Sequence, residues 1–146
     1  MPLVQRYMRK RMSNDIHGIP LFPEVGKMLK GLVANGITTA IVTSNSATNV
    51  QSILGTENAN LIKYYACDAS FFGKSAKIRK VLRWSGIAPA ETICIGDEVR
   101  DLQAAHAEGI AFGAVSWGYA SPKSFTPYSP KAVFLTMRDI VEKLAR

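Results

Sequence analysis

The chain has 146 residues, 47% of them hydrophobic, and carries 18 lysines and arginines against 11 acidic residues, a net charge of +7. That length buries a usable core as one domain, and no internal repeat or low-complexity tract interrupts it. No stretch approaches a transmembrane span, and the basic residues 1–12 lack the apolar centre of a signal peptide, so no membrane partner is expected and the cytoplasm is the default location. Cys67 and Cys94 both stand in apolar strand contexts and read as buried free thiols of a reducing compartment.

Residues 1–19 hold Arg6, Arg9, Lys10, Arg11 and Asp15 and read as a linker ahead of a core spanning 20–146. Phe22-Pro23-Glu24 opens a helix with proline near its first turn, and Val25, Met28, Leu29, Leu32 and Val33 form its apolar stripe. Asn35-Gly36 ends it. Residues 37–43, Ile-Thr-Thr-Ala-Ile-Val-Thr, make an apolar strand that runs into Thr43-Ser44-Asn45-Ser46. Hydroxyls and backbone N–H groups at a strand-to-helix turn make a phosphate cradle. A short helix follows over 47–54, then a third strand over 61–67. Phe71-Phe72-Gly73-Lys74 sets a lysine at the head of a helix over 74–84, where its compact charge suits a phosphate.

Thr92-Ile93-Cys94-Ile95-Gly96 is the next strand, with Asp97 at its carboxyl end and Asp101 in the first turn of a helix closed by Gly109. Open α/β sheets bind ligands at that end of their strands. Two carboxylates there suit a hard cation such as Mg²⁺. The structural alternative is that Asp97 caps the helix and Asp101 complements its dipole. A strand over 112–117, a loop over 118–130 punctuated by Pro122, Pro127 and Pro130, a short strand over 132–135 and a helix over 137–144 complete a parallel α/β layered fold.

His17 and His106 have no partner at metal or triad spacing, so packing or surface roles fit them. Trp117 and Tyr119 flank Gly118 and suit core packing or a substrate mouth. Arg100 suits a surface ion pair or an anionic substrate. The basic groups of residues 6–11 and Lys77, Arg79, Lys80 and Arg83 come without zinc spacing, an RNA-binding signature or a helix-turn-helix pattern. They read as solvated faces or as attraction for an anionic substrate, not as a nucleic-acid site.

In order along the chain, Ile41-Val42-Thr43-Ser44-Asn45-Ser46, Gly73-Lys74 and Gly96-Asp97-Glu98-Val99-Arg100-Asp101 resemble the second, third and fourth motifs of the haloacid dehalogenase-like hydrolase superfamily, within its phosphoglycolate-phosphatase-like branch. The resemblance runs from about residue 20 to the C-terminus, and residues 1–19 resemble a remnant of the family's helical cap. It implies a three-layer Rossmann-like parallel sheet and a Mg²⁺-dependent phosphatase acting on a small phosphorylated metabolite. Thr43 and Lys74 would be its catalytic residues; Thr43, Ser44, Asn45 and Lys74 would hold the phosphate; Asp97 and Asp101 would hold Mg²⁺.

The first motif of that family, a strand ending in Asp-x-Asp that supplies the nucleophile, has no match. The aspartates are Asp15, Asp68, Asp97, Asp101 and Asp139, and none is followed by aspartate two places on. The chain is therefore expected to lack the N-terminal strand and most of the cap, to bind Mg²⁺ weakly or not at all, and to be inactive alone. A non-catalytic phosphate-binding or protein-interaction module on the same scaffold is the alternative. Loss of a central strand would bare the edges of the strands at 37–43 and 92–96. Three repairs are open: direct pairing of the two strands, which is favoured here; insertion of Pro2-Leu3-Val4-Gln5; or pairing with another chain, as a homodimer or with a missing N-terminal fragment.

Overall fold

The structure, a computed structural model, describes residues 2–5, 23–68, 73–116 and 122–145. Among these, six parallel strands form one sheet: β1 (Pro2–Gln5), β2 (Thr38–Val42), β3 (Tyr64–Ala66), β4 (Ile93–Gly96), β5 (Ala111–Val115) and β6 (Ala132–Phe134). Their order is β3-β2-β1-β4-β5-β6. This is the doubly wound order, in which the chain reverses direction across the sheet between β1 and β4 and leaves a crevice beyond the carboxyl ends of the strands.

The helices are α1 (Pro23–Ala34), α2 (Ala47–Leu54), α3 (Thr56–Ala59), α4 (Gly73–Ser85), α5 (Val99–Ala107) and α6 (Met137–Leu144), with 3-10 turns at Pro89–Glu91 and Pro122–Tyr128. Alternation along the strands assigns the two faces. Ile41, Ile93, Ile95 and Val115 pack with Val25, Met28, Leu29 and Leu32 of α1 and with Met137 and Ile140 of α6. Ala40, Val42, Cys94, Phe112 and Ala114 pack with Ile78 and Val81 of α4 and with Leu102 and Ala105 of α5. The result is the three-layer arrangement expected from strands apolar on both faces.

The stripe on α1 is as the sequence indicates, except that Val33 is exposed. It lies about 80° round the helix from Val25, off the face that Val25, Met28, Leu29 and Leu32 share. The stretch 118–130 is not wholly a loop: its 3-10 segment delivers Phe125, fully buried and stacked on Phe112 at 5.6 Å between ring centroids. Two glycines mark close approaches. A Cβ on Gly31 would lie 3.0 Å from Val141 Cγ1 of α6, and one on Gly113 would lie 2.4 Å from the Phe134 ring.

The centre of the sheet corrects the expected repair. Strands β2 and β4 do not pair with each other; β1 lies between them, with Pro2 opposite Thr38 and Gln5 opposite both Ile41 and Ile95. Direct pairing would draw two helix-covered halves together by one strand spacing, about 4.8 Å, and crowd the helices packed on both faces. Four inserted residues satisfy both edges without moving either half. Proline is tolerated because it is the first residue of the strand. Thus the stretch read as linker supplies the central strand, and the sheet closes within one chain. Residues 6–22, with His17 and the Arg6–Arg11 patch, and Trp117 and Tyr119 lie outside the described residues.

Candidate active site

At the carboxyl end of β4 the chain turns through Asp97 and Glu98 into α5. Glu98 is the residue before the helix and makes no side-chain capping bond; its carboxylate instead takes Arg100, at 2.8 Å. Asp97 and Asp101 are 4% and 2% exposed. Gly96 makes this possible, because a Cβ there would lie 2.8 Å from Asp101 Oδ2 and 2.9 Å from Asp101 Cβ. The Asp101 side chain therefore folds back over the end of β4, into the crevice.

Lys74, the second residue of α4, donates from its ammonium to Asp101 Oδ1. This contact joins residues 27 apart in sequence, and it is mostly sheltered: the two side chains are 16% and 1% exposed. One turn later Lys77, which the sequence suggested as part of a basic surface, is only 6% exposed. It falls on the same helix face as Ile78 and Val81, the signal that would have placed it inside. Helix α4 is held in place by Glu108 at the end of α5, which accepts from Ser75 Oγ at 2.6 Å and from Arg79 at 3.0 Å. Those bonds, Arg79 first and Ser75 next, hold the Glu108 carboxyl below its ordinary range.

Thr43 follows β2, is buried, and donates its N–H to Ala66 O of β3 at 3.1 Å. Its Oγ1 accepts from the Asn45 N–H at 3.1 Å, which leaves the hydroxyl its O–H to donate. Ser44 is exposed at the turn. Asn45 Oδ1 accepts from Ser46 N–H and Asn49 Nδ2, and Asn45 O accepts from Asp68 N–H at 2.8 Å. Ser46 caps α2 by accepting from Asn49 N–H. The Asn45 Nδ2 amide is buried with no hydrogen-bond partner among the described residues. An orphaned donor next to a threonine hydroxyl suits an anion, since an unmet buried donor otherwise costs about 1–3 kcal/mol. Asn49 is a support of this turn that the sequence reading did not single out.

Cys67 lies beside this region as a free thiol. Burial, reinforced by the neighbouring Asp68 charge and offset by Lys77, pushes it up to about 11. At neutral pH it is a thiol and not a nucleophile.

The residues singled out in the sequence thus stand at one edge of the sheet. Lys74 touches Asp101; Asp97 sits at the same strand end; Thr43, Ser44 and Asn45 follow β2, on the far side of β1. Strand β1 ends at Gln5, opposite Ile41 and Ile95, two residues before Thr43 and Asp97 respectively. Its residues, Pro-Leu-Val-Gln, include no carboxylate. Asp97 and Asp101 are the residues that would hold a hard divalent cation, which takes one or two carboxylates and completes its shell with water and substrate phosphate. Asp101 already bears the Lys74 ammonium, and no cluster of three acidic, histidine or cysteine side chains occurs among the described residues.

Comparison with known proteins agrees with this geometry. The phosphoglycolate phosphatase of Synechococcus elongatus is 26% identical over 145 residues, 99% of this chain and 68% of that protein. The phosphoglycolate phosphatase of Escherichia coli is 27% identical over 135 residues, 87% of this chain and 52% of that one; the chain spans about half of this relative's length. The crystal structure of a predicted phosphoglycolate phosphatase from Haemophilus somnus superposes with a TM-score of 0.77 at 25% identity, covering 90% of this chain and 61% of that one. The haloacid dehalogenase-like hydrolase family profile matches residues 2–115, so it takes in β1 as well as the loops that carry Thr43, Lys74, Asp97 and Asp101. With sheet order, loop positions and profile in agreement, the chain belongs to the haloacid dehalogenase-like hydrolase family.

Proposed function

We propose that this chain binds the phosphoryl group of a small phosphate ester of the phosphoglycolate type at the carboxyl edge of its sheet, and that on its own it does not turn the ester over. The observation that carries the reading is the contact of Lys74 with Asp101 across the crevice, which brings the third and fourth motifs together. The Thr43 hydroxyl and the unpartnered Asn45 amide supply donors for phosphoryl oxygens, and Lys74 supplies the charge.

Binding and orientation are what these residues can perform. Covalent hydrolysis needs an acceptor for the phosphoryl group, and β1 brings none to the position between Thr43 and Asp97. The carboxylates of Asp97 and Asp101 repel an incoming anion unless neutralised, and Lys74 contributes to that at Asp101.

Titration calorimetry with orthophosphate and with 2-phosphoglycolate tests the binding. Lys74→Ala should weaken either ligand by about tenfold or more, the worth of one charge-assisted contact. A parallel assay of phosphate release should show only background. Rapid Mg²⁺-dependent turnover, abolished by Asp97→Ala, would overturn the non-catalytic part and point to another carboxylate, with Asp68 the first to examine.

A further inference from the structure

In the turn that follows β2, every hydrogen-bonding group of Asn45 but one is engaged. Its N–H donates to Thr43 Oγ1 at 3.1 Å, and its carbonyl accepts from the Asp68 N–H at 2.8 Å. Asp68 holds a φ of 74°, in the left-handed region that aspartate tolerates better than most side chains. On the side chain, Oδ1 accepts twice, from the Ser46 N–H at 3.0 Å and from Asn49 Nδ2 at 3.1 Å. Those two donors decide which end of the amide lies where. Turning the amide over would set its NH₂ against both of them, donor against donor, and lose both bonds. The end left over is Nδ2, buried and unmet among the described residues. Of the two donors only Asn49 acts through a side chain. Asn49 is the third residue of α2, and its own N–H is fixed on Ser46 Oγ at 3.1 Å. A helix gains more at that position from an acidic residue than from asparagine, so the side chain is explained by what it holds.

We propose that Asn49 is a positioning residue of the phosphoryl site: without touching the ligand, it fixes the Asn45 amide so that Nδ2 is the end offered to a phosphoryl oxygen. This rests on reading the crevice as a phosphate site, and deepens it by naming what orients the neutral donor there. An amide held this way presents N–H and no lone pair, so the oxygen it meets must be an acceptor, as the unprotonated oxygens of a phosphate ester are. Turned over, the same side chain would present Oδ1, which repels an anion. Asn49 thus sets the sign of the dipole that the turn shows to a ligand, while Thr43 and Asp68 hold the Asn45 backbone in place.

Orthophosphate is the probe, in titration calorimetry on the full chain, on Asn45→Ala, Asn49→Ala and Asn49→Asp, and on each Asn49 variant combined with Asn45→Ala. Circular dichroism verifies the fold of each. Asn45→Ala should weaken binding by about tenfold, the effect of one hydrogen bond to a charged group. Asn49→Ala should weaken it by about threefold or more, since the amide is then free to turn. Asn49→Asp should weaken it further, because a carboxylate draws Nδ2 to itself and turns Oδ1 outward. Once Asn45 is alanine, Asn49→Ala should have no further effect, and Asn49→Asp should show only the effect of its charge. Should Asn49→Ala fail to fold, Asn49→Asp carries the comparison, since an acidic residue in the first turn supports the helix. Unchanged affinity in Asn45→Ala overturns the proposal, as does an Asn49 effect of equal size with and without the Asn45 amide; either leaves phosphate binding itself in place. Failure of the unaltered chain to bind orthophosphate overturns the functional reading, and the proposal with it.

Discussion

Thr43 shows how one side chain serves both fold and site. Its N–H ties the end of β2 to β3, and its hydroxyl holds the turn by accepting from Asn45 N–H. Thr43→Val keeps the shape and removes the acceptor, leaving that N–H without its bond. Stability should fall by about 1 kcal/mol in urea denaturation, and orthophosphate affinity should fall several-fold. Thr43→Ser, which retains the hydroxyl, should lose little of either. The positions of Asp97, Asp101 and Lys74 in the fold were legible because each stands where an apolar strand or a glycine hands over to a helix. The orphaned Asn45 amide and the burial of Lys77 were not, since both depend on neighbours far along the chain.

Among the elements, β1 has the smallest sequence signal and a central place. Four residues, Pro-Leu-Val-Gln, carry no period that separates strand from linker, yet they pair on both sides. A proline at Val4 removes a ladder bond in the middle of the sheet and forces its ring against a neighbouring strand. Val4→Pro should therefore cost about 3 kcal/mol or more, seen as loss of cooperative unfolding or a large drop in midpoint. A surface strand would lose far less. If the chain instead keeps its full stability, β1 is not a structural strand. The helices were more legible, because caps and stripes are local: Ser46 and Thr136 cap α2 and α6 with their own side chains, and Gly86 and Gly109 stand just beyond the ends of α4 and α5 at positive φ.

At the scale of the whole molecule, the two helical layers are joined to the sheet by apolar contacts, and α4 is further joined to α5 by the Glu108 cluster. Because the Glu108 carboxyl is held below its ordinary value of 4.5 by Arg79 and then Ser75, its ionised form stabilises the folded chain. That contribution is complete above about pH 4.5 and disappears as pH falls through the lowered folded value. Glu108→Gln removes it. The difference in unfolding free energy between the two proteins should thus be constant from pH 7 to about 5 and shrink below 4.5, as chemical denaturation at each pH would show. A difference that grows on acidification would contradict the sign of the shift.

The sequence by itself determined the alternation of strand and helix, the three motif positions and the absence of a first-motif aspartate. These are encoded in residue period, caps and order, all readable within a few positions. Only the tertiary structure decided which segment fills the centre of the sheet, that Lys74 lies on Asp101, and why Gly31, Gly96 and Gly113 carry no side chain. The reason is common to all three. Each is set by two chain segments meeting at a distance in sequence, where the energy lies in a vacant strand edge, an uncompensated carboxylate or the room left for a ring. A single local window contains only one half of each such contact.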